Sequence, residues 1–169
     1  MDSRTARLNL HAVDVREAQR IHDRAPQSGD AWAVDYPFEG DLAATGGFLL
    51  ATEHNGEQRP FGYYQIRRQS DGLAIGGVGF KGPPDGGVVE IGYGLASSAR
   101  GHGYATEALR ALVQIAAGLG VTTIRADTDL DNVASQRTLD NAGFHLVEAD
   151  SEFCHYEARI SPTRDPSML

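Results

Sequence analysis

Leu8, Leu10 and Ala12 alternate with Asn9 and His11 along residues 7–13, the period of a half-buried strand. Asp14 follows, with Glu17 three residues on. That is the spacing of a capping box, and it predicts a short helix over 15–24. Residues 25–40 lose periodicity: two prolines and two glycines surround Trp32, Tyr36 and Phe38 among acids. Aromatic residues in a polar loop of this length read as a lid or a packed flap. Asp41 is placed to cap a second helix through Leu50, weakened by Gly46 and Gly47. Strand patterns over 61–68 and 73–80 flank Asp71-Gly72, a hairpin signal. A turn-rich loop with Pro83-Pro84 leads to a strand at 88–95. Ala105, Ala108, Leu109, Leu112, Ala116 and Leu119 keep the 3.6-residue helical period, closed by Gly120. A strand at 121–127, a helix at about 132–142 stopped by Gly143, and strands at 144–148 and 153–160 complete the pattern.

The order runs from an antiparallel meander to strand–helix–strand and then helix and hairpin, which is an α+β (mixed α/β) fold around a central sheet. The helix from Ala105 is long enough for a parallel crossover. At 169 residues the chain fits one domain, expected over 1–160 with a polar, frayed tail at 161–169. With 23 acidic and 15 basic residues the formal charge is −8, which disfavours a nucleic-acid or membrane-surface partner. A single cysteine leaves no disulfide framework and no cysteine-rich zinc site. No apolar run approaches a membrane span and the N-terminus lacks a signal peptide's apolar stretch, so a cytoplasmic location is the expectation.

Residues 77–82 match G-x-G-x-x-G, but Pro83-Pro84 follow where a nucleotide-binding helix would have to begin, so the match is rejected. There is no P-loop and no nucleophile elbow. The six histidines form no metal-ligand pattern, and no metal is expected. Cys154 and His155 are neighbours on a strand and point to opposite faces, so they make no nucleophile–base pair.

The informative stretch is Ala99-Arg100-Gly101-His102-Gly103-Tyr104-Ala105-Thr106-Glu107, between a strand and the best helix of the chain. Two glycines one residue apart can expose successive N–H groups, and the helix that follows adds its own free N–H groups and dipole. Arg100 and His102 add positive charge. The turn therefore reads either as a phosphate cradle or as a strand-to-helix bend with glycine for sterics alone.

The segment resembles the GNAT superfamily of acetyl-CoA-dependent N-acetyltransferases, whose signature [RQ]-x-x-G-x-[GA] is filled by Arg100, Gly103 and Ala105. Glu90-Ile91-Gly92-Tyr93-Gly94-Leu95 before it, Tyr104 to Leu109 after it, and the later Asn132-Val133-Ala134-Ser135 and Ala142-Gly143-Phe144 look like the same family. The resemblance covers about Ile75 to Phe144, and its nearest subgroup contains the ribosomal-protein N-terminal acetyltransferases. It implies a mostly antiparallel twisted sheet with one splayed parallel strand pair, flanked by the four helices above. It also implies transfer of an acetyl group from acetyl-CoA to a primary amine, on a peptide N-terminus or a small molecule, by direct attack in a ternary complex. Pantetheine would lie along the main chain of Tyr93, Gly94 and Leu95, and the diphosphate on Gly101, His102, Gly103, Tyr104, Ala105 and Thr106, with Arg100 either structural or directed at it. Asn132 would contact the pantetheine arm or cap its helix, and Ser135 would face the thioester sulfur. Many relatives carry a tyrosine one turn later, where this chain has Leu139. That departure leaves the general acid open and motivates the alternative of a non-catalytic acyl-CoA-binding module. Dimers are frequent among similar proteins, so a homodimer is a further expectation of the resemblance.

Amine acetylation needs a base, because an ammonium has no lone pair. Glu90, in an otherwise apolar strand, is the first choice if it is half-buried; Asp127 and Asp129 stand behind it. The run of acids between Asp127 and Glu152 reads as a solvated face. Trp32 and Tyr36 are the expected specificity residues.

Overall fold

The computed structural model describes residues 2–161; the frayed tail expected beyond Ser161 lies outside the described residues. Among them, eight strands form one sheet: β1 (Asp2–Arg4), β2 (Leu8–Ala12), β3 (Tyr63–Arg68), β4 (Ala74–Phe80), β5 (Val88–Leu95), β6 (Thr123–Asp129), β7 (His145–Ala149) and β8 (Phe153–Arg159). Their spatial order is β1-β2-β3-β4-β5-β6-β8-β7. The pair β5–β6 is parallel and the others are antiparallel. Four helices join them: α1 (Val15–His22), α2 (Glu39–Asn55), α3 (Tyr104–Gly118), which is the parallel crossover, and α4 (Val133–Asn141).

Cross-strand partners share a face, so the register sorts the layers. His11, Gln65, Gly77 and Gly94 are successive partners across β2–β5 and mark the face covered by α1 and α2. On that side His11 meets Glu17 of α1 and Tyr63 meets Asp41 of α2. Ala12, Tyr64, Val78 and Tyr93 mark the opposite face, where Tyr93 reaches Ser135 of α4. On α3, Leu109 and Leu112 are fully buried, each contributing about 2 kcal/mol of burial.

Three local readings change. The N-terminal strand β1 carries no apolar alternation; it is held by pairing with β2. Asp41 is not the N-cap of α2: the helix starts at Glu39, and Asp41 sits in its first turn, accepting the Phe38 N–H at 3.1 Å. The same helix runs through Gly46 and Gly47 to Asn55, because its packing outweighs the glycine cost of about 1 kcal/mol each. The other predicted elements stand within one or two residues, the α1 capping box is formed, and residues 77–82 lie in and just after β4 with no helix behind them.

Candidate active site

Strands β5 and β6 pair only at Val88–Thr123, Val89–Ile124 and Glu90–Arg125. Beyond Glu90, β5 stays with β4 and β6 stays with β8, so a wedge opens between them. Alternation along β5 decides which amides face it. The Glu90 carbonyl accepts from Lys81 and the Ala96 N–H donates to Ile75, so even-numbered groups turn to β4. Tyr93 and Leu95 therefore present their main-chain groups to the wedge. Gly94, expected beside them, does not: its backbone groups belong to the β4 ladder, and its role is to leave space on the opposite face. The Leu95 carbonyl is held by Nε of Arg100 at 3.2 Å, so Arg100 braces the seam.

The turn after β5 passes through a short 3-10 segment at Ser97–Ala99 and reaches α3 through Gly101 (φ 81°) and Gly103 (φ 77°). Both are left-handed, a conformation only glycine adopts without strain. Among the described residues, the N–H groups of Gly101, His102, Gly103, Tyr104, Ala105 and Thr106 have no acceptor; the first α3 bond is Glu107 N–H to the Gly103 carbonyl. Six consecutive free amides, three before a 15-residue helix and three in its first turn, are the donor set a diphosphate needs. The turn is held from outside by Arg7, which donates to the His102 carbonyl at 2.8 Å, pairs with Glu107 at 2.7 Å and lies 4.6 Å from the Tyr104 ring centroid. His102 stacks on Tyr104. Burial pushes the Glu107 carboxyl up, but hydrogen bonds from Thr5 and Arg7 outweigh it and hold the group below its usual range. Arg7 was missed in the sequence because its contacts lie about 100 residues away.

On the far side of the wedge, Asn132 caps α4 by accepting the Ser135 N–H at 3.1 Å, which leaves its amide group without a partner among the described residues. Ser135 Oγ lies 2.5 Å from the Tyr93 hydroxyl, which also donates to the Ser135 carbonyl at 3.1 Å. Burial raises the Tyr93 phenol above its ordinary value. Leu139 is fully buried in the core. A phenol therefore stands beside Ser135, and it comes from the sheet rather than from α4.

The sequence-expected base and specificity residues fare differently. Glu90 is not shielded from water: it shares a face of β5 with Gly92 and Gly94, but its side chain is 45% exposed and ion-paired to Lys81. Asp127 is bound to His155 at 2.6 Å, with Asp150 on the other ring nitrogen at 2.7 Å. These hydrogen bonds, the one to Asp150 first, lift His155 to about 9, so it is an imidazolium at neutral pH. Asp129 is exposed. Tyr36 is 5% exposed and packs edge-on to Trp32, behind the wall that Phe38 of the same loop presents to a cavity.

That cavity, about 550 Å³, lies between α2 and strands β3–β5. Its floor contains Gly77, Gly79, Gly92 and Gly94, which are cross-strand partners in two pairs. A methyl at Gly77 would collide with Tyr63 and one at Gly94 with Phe38; bare backbone lets both rings lie on the sheet. Asp41 lines the cavity at 2% exposure. It accepts from Tyr63 Oη at 2.8 Å, and Tyr63 lies 3.1 Å from Tyr36 Oη, which receives Nε2 of Gln65 at 3.1 Å. Burial pushes Asp41 up to about 6, against the Tyr63 and Phe38 hydrogen bonds that lower it. Sequence reading saw Asp41 only as a cap. The missed signal is its place in a helix whose small residues, Gly40, Ala43, Ala44, Gly47 and Ala51, recur at helical spacing.

A wedge in a parallel pair, capped by a turn of free amides, fits an acyltransferase. The model of the acetyltransferase (GNAT) domain matches residues 7–145, so the chain belongs to the GNAT acetyltransferase family and is an acyltransferase. It is 29% identical over 158 residues to an uncharacterized N-acetyltransferase of Bacillus subtilis (strain 168), YjdG, covering 90% of this chain and 94% of that one. Among solved structures the fold is similar to RimL, a ribosomal L7/L12 alpha-N-protein acetyltransferase in complex with coenzyme A (TM-score 0.66, 21% identity, 92% of this chain and 96% of that one). It is also similar to a GNAT-family acetyltransferase from Bacillus anthracis (TM-score 0.66, 15% identity, 94% and 98%). A third is the microcin C7 self-immunity acetyltransferase MccE in complex with acetyl-CoA and AMP (TM-score 0.63, 17% identity, 92% and 94%). No helix of the described residues is long and apolar enough to cross a membrane, and no group of three or more His, Cys, Asp or Glu side chains among them is arranged to hold a metal ion.

Proposed function

We propose that the protein transfers an acetyl group from acetyl-CoA to a primary amine by direct attack within a ternary complex. The observation that carries this is the row of six free amides at 101–106 opening onto a wedge whose β5 edge offers the main chain of Tyr93 and Leu95. Acetyl-CoA supplies the activated acyl group. The turn holds its diphosphate, and the Tyr93 and Leu95 main chain and the Asn132 amide hold its pantetheine arm. Arg100 keeps the Leu95 carbonyl in place. A strand N–H at the wedge is positioned to donate to the oxygen on which charge develops. Ser135 and Tyr93, hydroxyl to hydroxyl, provide the proton for the departing thiolate, the task the tyrosine one turn after the serine is expected to perform in relatives. Cys154 is buried in the β8 ladder opposite Thr128, with no base paired to it among the described residues, so no acyl-enzyme is invoked.

The test is to incubate the protein with acetyl-CoA and a panel of peptides, amino acids and small amines, measuring free CoA and the acetylated product by mass. Stoichiometric CoA and acetyl-amine support the reading. CoA binding with no transfer to any amine makes the protein a binding module.

A further inference from the structure

The cavity under α2 has a specific chemistry. Asp41 is the one carboxylate among its lining residues. Among the described residues no Lys, Arg or His forms an ion pair with it. Lys81, the cation at the rim, is paired with Glu90 outside. Each Asp41 oxygen accepts one hydrogen bond, from Tyr63 and from the Phe38 N–H, and an ionised carboxylate has about four acceptor sites, so capacity for a donor remains. A buried carboxylate without a cation is costly unless something charged arrives to meet it. Its position relative to the wedge is equally telling. Tyr63 lies over Gly77, and Gly77 pairs with Gly94 of β5, so the Tyr63 hydroxyl that holds Asp41 stands over the strand next to the one that edges the wedge. The remaining walls include Phe38, Phe48, Phe61 and Phe80.

Building on the acetyltransferase reading, we propose that Asp41, oriented by Tyr63, is the acceptor site: it binds the substrate ammonium and takes its proton, and the acceptor is a monocationic primary amine on an apolar, aromatic-sized body. The ammonium proton passes to the Asp41 carboxylate, and the freed lone pair forms the C–N bond as the C–S bond breaks. The second proton on nitrogen leaves toward sulfur through Ser135 and Tyr93, giving amide and thiol. Asp41 then returns its proton to solvent. An acceptor with a second ammonium would place that charge among the phenyl rings with no counter-ion.

The ionisable groups packed around Asp41 are consistent with its being the one that cycles. Burial raises both Tyr63 and Tyr36, which stay protonated and act as donors. His22 of α1 is spent on the Leu42 carbonyl, Arg24 of α1 on Glu39, and Arg67 of β3 on Gln65 and Glu17. Tyr93 faces Ser135 and Lys81 faces Glu90. The lift of Asp41 toward 6 places it where it can both hold and release a proton near neutrality.

The experiment compares phenethylamine with spermidine. Wild-type protein is expected to acetylate phenethylamine with a kcat/KM at least 100-fold above spermidine. It should also bind phenethylammonium calorimetrically without acetyl-CoA. Asp41→Asn should lower kcat/KM for phenethylamine about 100-fold or more, abolish the binding heat and remove the acid limb of kcat near pH 6, while its CoA affinity stays within twofold. Tyr63→Phe, which keeps the charge, should lose about tenfold, and it decides the matter if Asp41→Asn does not fold. Spermidine preferred over phenethylamine, or wild-type kinetics and heat in both variants, would overturn the proposal. If wild-type protein binds CoA but acetylates no amine, the acetyltransferase reading fails. Asp41 is then judged by the heat alone: loss in Asp41→Asn supports the anchor, and no heat in wild type removes it.

Discussion

The proposed cofactor side and the proposed acceptor side of this site are built from different materials. The cofactor side is one continuous stretch, β5 through the start of α3, and most of what it offers is backbone: free N–H groups at 101–106 and strand amides at Tyr93 and Leu95. The acceptor side is assembled from α2, β3, β4 and β5, and what it offers is side chains, Asp41 and Tyr63 among phenyl rings. A diphosphate is recognised by the same donor geometry whatever protein presents it, so a local motif suffices. An acceptor is recognised by shape and charge that distant elements must converge to make. The glycines show the contrast: Gly101 and Gly103 are needed for their φ, while Gly77 and Gly94 are needed for the room they leave.

The sharpest way to separate the two sides is the double variant Gly101→Val with Gly103→Val. Each side chain is forced into the left-handed region at about 1–2 kcal/mol, so CoA affinity should fall by roughly 30- to 1000-fold. Binding of phenethylammonium to the protein without acetyl-CoA should not change. Calorimetric titration with each ligand reads both, and an equal loss of both would mean the sides are not independent. Next in size, Tyr93→Phe removes the phenol but leaves Ser135. Turnover should fall about tenfold, less than the full loss of an acid, with CoA binding retained, as stopped-flow and titration would show. A smaller effect comes from Gly92→Ala. The added methyl would meet only Cε of Lys81, at 3.6 Å, so the fold tolerates it while the cavity floor rises. The amine KM should increase about fivefold, the lower end of a methylene-scale loss at about 1 kcal/mol, with kcat and CoA affinity unaltered.

The smallest expected effect concerns stability and has a defined sign. Asp41 is raised when folded to about 6, from an ordinary 3.8. The native state therefore holds more protons than the unfolded state between these values, and the stabilisation from the neutral acid is lost as pH rises through 6. Asp41→Asn should melt at or above wild type at pH 7.5, and this advantage should vanish by pH 4. A variant that is more stable yet inactive would mark Asp41 as a residue kept for function. A melting point lower than wild type at pH 7.5 would make it structural.

How much of this was legible in the chain follows the same division. Alternation in β2 and β6, the Asp14–Glu17 box, the Asp71-Gly72 hairpin and the period of α3 are local, and each produced its element nearly in place. The cofactor turn was legible because a single run of residues contains the conformation and the donors. Glu90 shows the limit: an acid in an apolar strand reads as a shielded base, yet how far its face is covered depends on what packs over it, and here that end of the strand is left open and paired with Lys81. Tyr36 shows it again, an aromatic expected at the substrate that the fold used as a support for Tyr63.

By itself the amino-acid order determined the elements, their succession and the turn of free amides before α3, since hydrophobic period and glycine conformation act over a few neighbouring residues. The tertiary structure alone decided that Tyr93 meets Ser135 across the wedge and that Arg7 braces the turn from the other end of the chain. It also decided that Asp41 lies buried beside a cavity rather than on a helix tip. Burial, hydrogen-bond partners and charge state are properties of what surrounds a side chain, and its surroundings are set only when the sheet and helices close on one another.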